Sequence, residues 1–213
     1  MASWYERVVF NALMDRALSK EPIAALRREL LAECSGEVVE VGFGTGLNLP
    51  QYPSAVRRVR AVVREDELDA RALRRATSCR VELVHVRGDA QRLPFDDASV
   101  ETLVCTFVLC SVADADRAHA EFARVLAPDG RLFVLEHILS PRRFERFVQR
   151  GLSPLQRHYA CGCELDRDLV ASLARAGFDS SSLRVGRTPA LPFPAREVCR
   201  GTVRRGGQCS AST

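Results

Sequence analysis

The densest group of chemically useful residues in this chain is Glu40-Val41-Gly42-Phe43-Gly44-Thr45-Gly46-Leu47-Asn48. Three glycines at alternate positions allow a tight turn and bring backbone close to a ligand. They follow Val38, Val39 and Val41, a β-branched run that reads as a buried strand. The loop therefore falls where a strand runs out, the edge at which open parallel sheets bind their ligands. The spacing departs from the dinucleotide fingerprint, which calls for a third Gly or Ala at position 47 where this chain has Leu47.

Three further groups belong to the same chemistry if they reach the same edge. Gly88-Asp89-Ala90 follows a strand expected near 81–86. A carboxylate there can accept from the exocyclic amine of adenine while the next N–H donates to a ring nitrogen, or it can simply close a turn. The apolar run Val104-Cys105-Thr106-Phe107-Val108-Leu109-Cys110-Ser111-Val112 continues from a strand into a loop, with Thr106 and Phe107 at its edge. Glu136-His137 ends the next strand. A neutral imidazole at His137, with His158 as second candidate, can take a proton from a substrate thiol or hydroxyl. A structural His137 bonded to backbone is the alternative.

These positions require a frame of alternating strands and helices. The pattern reads as strands at 38–41, about 58–63, about 81–86, about 100–107 and about 131–137, with helices at about 67–77 and 115–126. Such alternation predicts an α/β fold with a mostly parallel sheet and helices on both faces. Helices at 4–19 and 22–33 precede the sheet as N-terminal additions over the pocket, and Pro128-Asp129-Gly130 separates the 115–126 helix from the next strand. Beyond an Arg-rich helical stretch, Asp166 reads as the N-cap of a helix that Gly177 ends, followed by strands near 182–187 and 196–205. Residues 1–205 are expected to form one domain, and 206–213, small and polar, a frayed tail.

Composition narrows the function classes. The 213 residues are 46% hydrophobic and 27% charged, ordinary globular usage. The 31 basic and 27 acidic residues are mixed along the chain, which argues against a nucleic-acid partner. Arg142, Arg143, Arg146, Arg150 and Arg157 recur at helical spacing, as on a solvated helix face or a surface for an anionic partner. No run approaches the ~20 apolar residues of a transmembrane segment and no secretory leader is evident, so a cytoplasmic location is expected. The eight cysteines include no Cys-x-x-Cys pair; reduced thiols are expected, Cys105 and Cys110 as core fillers, and no metal.

Taken together, Val38 to Pro50, Gly88-Asp89-Ala90, the run at 103–112, Leu135-Glu136-His137 and Gly162-Cys163-Glu164-Leu165-Asp166-Arg167-Asp168 resemble the small class I S-adenosylmethionine-dependent methyltransferases. Within these they are similar to the methyltransferase-like branch that contains thiol methyltransferases. The resemblance runs from about Trp4 to about Arg205. It implies a Rossmann-like, seven-stranded sheet with one antiparallel strand and S-adenosylmethionine over its C-terminal edge. The Gly42, Gly44 and Gly46 spacing suits a loop holding the methionyl and adenosyl groups. Glu40 would orient that loop or the methionyl amine, Asp89 and Ala90 would hold adenine, and residues 105–109, including Thr106 and Phe107, would line the pocket near the sulfonium. Phe43 would line the pocket wall or pack under a helix, and Asn48 belongs to the same loop.

One contact is missing. The acid that should grip the ribose hydroxyls falls at Val63, beside Arg64, and valine accepts no hydrogen bond. Glu65 or Asp66 would have to reach round. The expected activity is methyl transfer to the sulfur or oxygen of a small, fairly apolar acceptor. The alternative that Val63 keeps open is a methyltransferase-fold scaffold with weak or lost turnover.

Overall fold

The computed structural model describes residues 9–206. The first turn of the expected 4–19 helix and nearly all of the expected tail lie outside the described residues. Two helices, α1 (Asn11–Leu18) and α2 (Glu21–Leu31), lead into β1 (Gly36–Val41). There follow β2 (Val56–Val63), α3 (Ala70–Thr77), β3 (Glu82–Arg87), β4 (Val100–Thr106), α4 (Ala115–Val125) and β5 (Leu126–His137). The remainder is α5 (Arg143–Tyr159), α6 (Leu169–Arg175), β6 (Phe178–Asp179), β7 (Arg184–Arg187) and β8 (Glu197–Arg205).

The strands order as β3-β2-β1-β4-β5-β8-β6, with β7 also on β8. β1 to β5 are mutually parallel, and β8 runs antiparallel to β5. β6 and β7 pair with the two ends of β8, so the expected outermost strand is present as two short pieces and the sheet counts eight strands. The chain order reverses between β1 and β4, and their C-terminal ends are where such a sheet binds ligands. Val39, Val41 and Cys105 face one apolar layer with Phe122 of α4 and Leu173 of α6. Val38 and Val104 face the other, with Ile23 and Leu31 of α2 and Ala72 of α3. Burial on both faces explains why these strands read as continuous apolar runs.

Two boundaries differ from expectation. The 127–130 segment does not separate helix from strand, as expected of Pro128-Asp129-Gly130; it lies within β5, and the β4–β5 register shifts between Val100 and Thr102. The cap of α6 is Asp168, whose side chain accepts from Ala171 N at 3.1 Å. Asp166, expected to be that cap, instead accepts from Ser153 Oγ at 2.5 Å. In α5 the usual amphipathic order is inverted. Glu145, Gln149 and Ser153 are buried, whereas Phe144, Phe147, Leu155 and Tyr159 are exposed. The buried polar side chains are satisfied: Gln149 accepts from Ser140 N and donates to the carbonyls of Ile138 and Pro194. Arg143, Arg150 and Arg157 lie on the exposed side of α5. Among the described residues, no helix is long and apolar enough to cross a membrane.

His119 on α4 shows how tightly these layers close. It is 1% exposed, its Nδ1 lies 2.8 Å from Ser172 Oγ on α6, and Ser172 in turn donates to Asp116 at 2.5 Å. Burial pushes the imidazole down to about 4. Because the unfolded chain binds this proton near 6.5 and the folded one does not, stability is complete above that pH and falls as pH drops towards 4. The loss amounts to about 3 kcal/mol across the window. In urea unfolding measured from pH 7.5 to 4.5, His119→Gln should flatten this decline; parallel profiles for variant and parent would assign it to other groups.

Candidate active site

At the C-terminal edge the glycine loop is shaped by three different constraints. Gly42, Gly44 and Gly46 all have positive φ (71°, 55° and 76°), a conformation costly for side chains. A Cβ at Gly42 would collide with Val108 on the β4 loop, and one at Gly46 would press on Ala72 of α3 at 3.1–3.2 Å. At Gly44 the nearest atom is the Gly42 carbonyl at 3.8 Å. Only there does the absent side chain leave open space, and it does so at the sheet edge. This is a cradle suited to S-adenosylmethionine. The Phe43 ring turns the other way, 3% exposed, into the core cluster with Leu49 and Ala72. It packs rather than lining the pocket.

Beneath the loop lies a buried polar network. Glu40 is 2% exposed; its Oε1 accepts from Asn48 Nδ2 at 2.9 Å and its Oε2 from Tyr52 Oη at 2.6 Å. Arg27 of α2, 3% exposed, donates from Nη1 to Asn48 Oδ1 and to Thr106 Oγ1, both at 2.6 Å. Asn48 thus bridges the guanidinium and the carboxylate. Burial raises Glu40 to about 7 even though Tyr52, Arg27 and Asn48 all favour its charge. Burial also lowers Arg27, to about 10, which leaves it cationic at neutral pH. The guanidinium carbon stands 5.3 Å from the Phe107 ring centre, within cation–π range. Phe107 has φ of 56°, a strained conformation for a bulky residue and one that gathers at functional sites.

The other expected residues fall into place around this edge. Asp89 Oδ1 accepts from Gln91 N at 2.8 Å and Gln91 Nε2 at 3.0 Å, so this carboxylate closes a turn at the sheet edge. Ala90 is buried beside it. β2 ends at Val63, paired with Arg87 in register, so the residue at the strand end is indeed the valine. Val63 packs in the core, Arg64 is exposed, and Asp66 forms an exposed ion pair with Arg87 at 2.8 Å. Glu65, half-buried, is the remaining acid at this strand end.

The wall beyond the edge is built from β4, β5 and the turn after α5. Glu136 Oε1 accepts from the backbone N–H groups of Val108 (2.7 Å) and Leu109 (3.0 Å), fixing the β4 loop. Burial raises its carboxyl, and those N–H donors hold the rise back. Arg167 donates to the carbonyls of Leu109 and Val112 and clamps the same loop from outside. His137 is 7% exposed; its Nε2 lies 3.1 Å from Cys163 Sγ. Burial works against its imidazolium, but the Cys163 sulfur and Glu136 outweigh it and lift the group. The Cys163 thiol is likewise pushed up, first by its contact with Cys110 and then by burial. His158 does not reach this wall: it sits exposed on α5 in a T-shaped contact with Tyr159.

Sequence reasoning missed Arg27, Tyr52 and Cys163. Arg27 had a signal, since it occupies the apolar stripe of α2 between Ile23 and Leu30. A surface cavity of about 850 Å³ borders Val56 and Val81 where β2 and β3 begin. Ligands of a parallel sheet sit at the strand C-termini, so the cradle is located by the loop and this cavity is not its seat.

Comparison with known proteins agrees with this geometry. Residues 39–134 match the family model described as a methyltransferase domain. The chain is 31% identical over 201 residues to human thiol S-methyltransferase TMT1A, covering 88% of this chain and 82% of that protein. It is 30% identical to rat thiol S-methyltransferase TMT1B over 178 residues, 78% and 73% of the two chains. The structure of geranyl diphosphate methyltransferase in complex with S-adenosylmethionine shares the fold with a TM-score of 0.67 at 16% identity, over 96% of this chain and 92% of that one. The fold and site define a class I S-adenosylmethionine-dependent methyltransferase, and the protein is an enzyme that uses that cofactor. Within the class, the chain belongs to the family of the thiol S-methyltransferases TMT1A and TMT1B.

Two measurements test the cofactor side. Gly44→Ala should retain a cooperative unfolding transition yet weaken S-adenosylmethionine at least about tenfold in calorimetry, while Gly42→Ala and Gly46→Ala should mainly lower stability. An unaltered affinity in Gly44→Ala would move the cradle elsewhere. At the ribose, Val63→Asp should tighten binding about tenfold, on the order of 1.4 kcal/mol, with Glu65→Gln neutral. The reverse pair, a weakened Glu65→Gln and a destabilised Val63→Asp, would show that Glu65 already holds the ribose.

Proposed function

We propose that the acceptor is the thiol of a small, fairly apolar molecule. The observation that carries this is how the carboxylates at the catalytic edge are committed. Glu40 is taken by Asn48 and Tyr52, and one oxygen of Glu136 by two backbone N–H groups. His137 spends Nε2 on Cys163, and His158 faces outward on α5. With Glu40, Glu136 and His137 all buried and each already engaged at one or more atoms, the edge suits an acceptor that ionises by itself, and a thiol with a pKa near ~8.5 does so where an alcohol does not. The names of the human and rat relatives point the same way.

When bound, S-adenosylmethionine supplies an electrophilic methyl group. The protein's part is to hold the acceptor in line and dry. Phe107, Val108 and Leu109 form the apolar floor, fixed by Glu136 from within and Arg167 from outside. The N-terminal helices roof the edge through Arg27.

An apolar alkyl thiol and its matching alcohol, offered in parallel and followed by mass spectrometry, test this reading. Below the thiol's pKa the rate on the thiol should climb about tenfold per pH unit, and the alcohol should react at least about 100-fold more slowly, the share that a missing base contributes. Comparable rates on the alcohol would replace the thiol by an oxygen acceptor.

A further inference from the structure

Cys110, His137 and Cys163 come from three separate segments: the loop after β4, the end of β5 and the turn after α5. All three are buried, and their Sγ and imidazole nitrogen atoms lie within 4.8 Å of one another. We propose that this trio is a binding site for a soft divalent cation, zinc by its donor set, with three protein ligands and an open fourth position.

The donor chemistry is that of zinc, which takes thiolate and imidazole in tetrahedral geometry. With Zn–S of about 2.3 Å and Zn–N of about 2.0 Å, ligand atoms stand about 3.5–3.8 Å apart. The present spacing brackets that value, from 3.1 Å between His137 Nε2 and Cys163 Sγ up to the 4.8 Å limit. Shifts of about half an ångström at the closest pair therefore suffice.

The backbone holds the trio together before any ion arrives. Glu164 N donates to the Cys110 carbonyl at 2.8 Å, joining the two cysteine segments directly. Cys161 and Gly162 both have positive φ (51° and 88°) and make the sharp turn that presents Cys163. A Cβ at Gly162 would stand 3.2 Å from the Ser111 carbonyl, so the turn is packed against the Cys110 loop. Gln156 Nε2 points at Cys163 Sγ from 3.9 Å, as an outer-shell donor to a thiolate does.

His137 turns Nε2 towards Cys163 Sγ, and its other ring nitrogen is outside the ligand set. His137 Nδ1 is buried and has no partner among the described residues. Cys110 and His137 also line a cavity of about 420 Å³ with Leu109, Glu164 and Arg167, which gives an ion and its fourth ligand, water or a thiolate, a way in. With the ion bound, His137 is a ligand and not a proton acceptor. The inference does not depend on the acceptor's identity.

The test uses the reduced, metal-free full chain titrated with Co²⁺ as a spectroscopic probe for Zn²⁺. One ion per chain, sulfur-to-cobalt charge-transfer absorption and the intense visible bands of a tetrahedral site are expected, with Zn²⁺ displacing the cobalt. Cys110→Ser and Cys163→Ser should each weaken the charge-transfer band, and their combination should remove it. Cys199→Ser, a buried thiol outside the trio, should leave it intact. In the unaltered protein, Zn²⁺ should protect Cys110 and Cys163 from alkylation without slowing the reaction of Cys79, a readout that needs no variant to fold. A band that persists in the double variant, a thiol pair that Zn²⁺ fails to protect, or ready conversion of Cys110 and Cys163 to a disulfide in the presence of Zn²⁺ would overturn the proposal.

Discussion

Burying a guanidinium is the constraint around which the catalytic edge is organised. An arginine removed from water is tolerable only if its donors and its charge are answered. Arg27 Nη1 is answered by Asn48 and Thr106, the guanidinium plane by the face of Phe107 and the charge, through Asn48, by Glu40, while Nε has no partner among the described residues. Each partner sits on a different part of the cofactor edge: Glu40 on β1, Asn48 after the glycine loop, Thr106 and Phe107 at the end of β4. Satisfying one cation therefore sets the relative positions of the loop, the pocket floor and the helix above them. The strained backbone at Phe107 is held within this arrangement, its N–H donating to the Leu135 carbonyl at 2.8 Å.

A second interaction governs the acceptor side. Glu136 reaches across from β5 to cap the two N–H groups where β4 becomes loop, and Arg167 takes two carbonyls of the same loop. Donors and acceptors of one short segment are thereby pinned from opposite sides. That rigidity lets Val108 rest over Gly42, so the glycine is required by a neighbouring side chain as much as by a ligand.

What could be read from the sequence follows from how local each signal is. The β-branched runs, the glycine loop and the turn at Asp89 are encoded within a few residues, and the structure forms them where they were expected. Val63 was readable for the same reason, since a strand end is fixed by its own alternation and flanks. Arg27 and Tyr52 were not recognised because their importance exists only once α2 and the 3-10 turn at Leu49–Gln51 pack onto β1. The cysteines illustrate the limit more sharply. Without a Cys-x-x-Cys pair the spacing argues against shared chemistry, yet the fold brings Cys163 to His137 across 26 residues. Phe43 stayed open between pocket wall and helix packing, because whether a loop ring points to solvent, ligand or core is decided by the cavity beneath it, and the structure packs it in the core.

The network at Arg27 also bears on how separable the parts of this protein are. The segment that matches the methyltransferase family model, residues 39–134, carries the glycine loop, Asp89 and the β4 edge. It contains neither Arg27 before it nor Glu136, Arg167 and the antiparallel strand β8 after it. The recognisable motif region is thus not a portable cassette. Transplanted between other flanks, it would keep its glycines and lose the cation that ties Asn48 to Thr106, together with the carboxylate that terminates β4. Exchange of modules among such enzymes must then respect joints drawn by buried charge, which do not coincide with the borders of the motif.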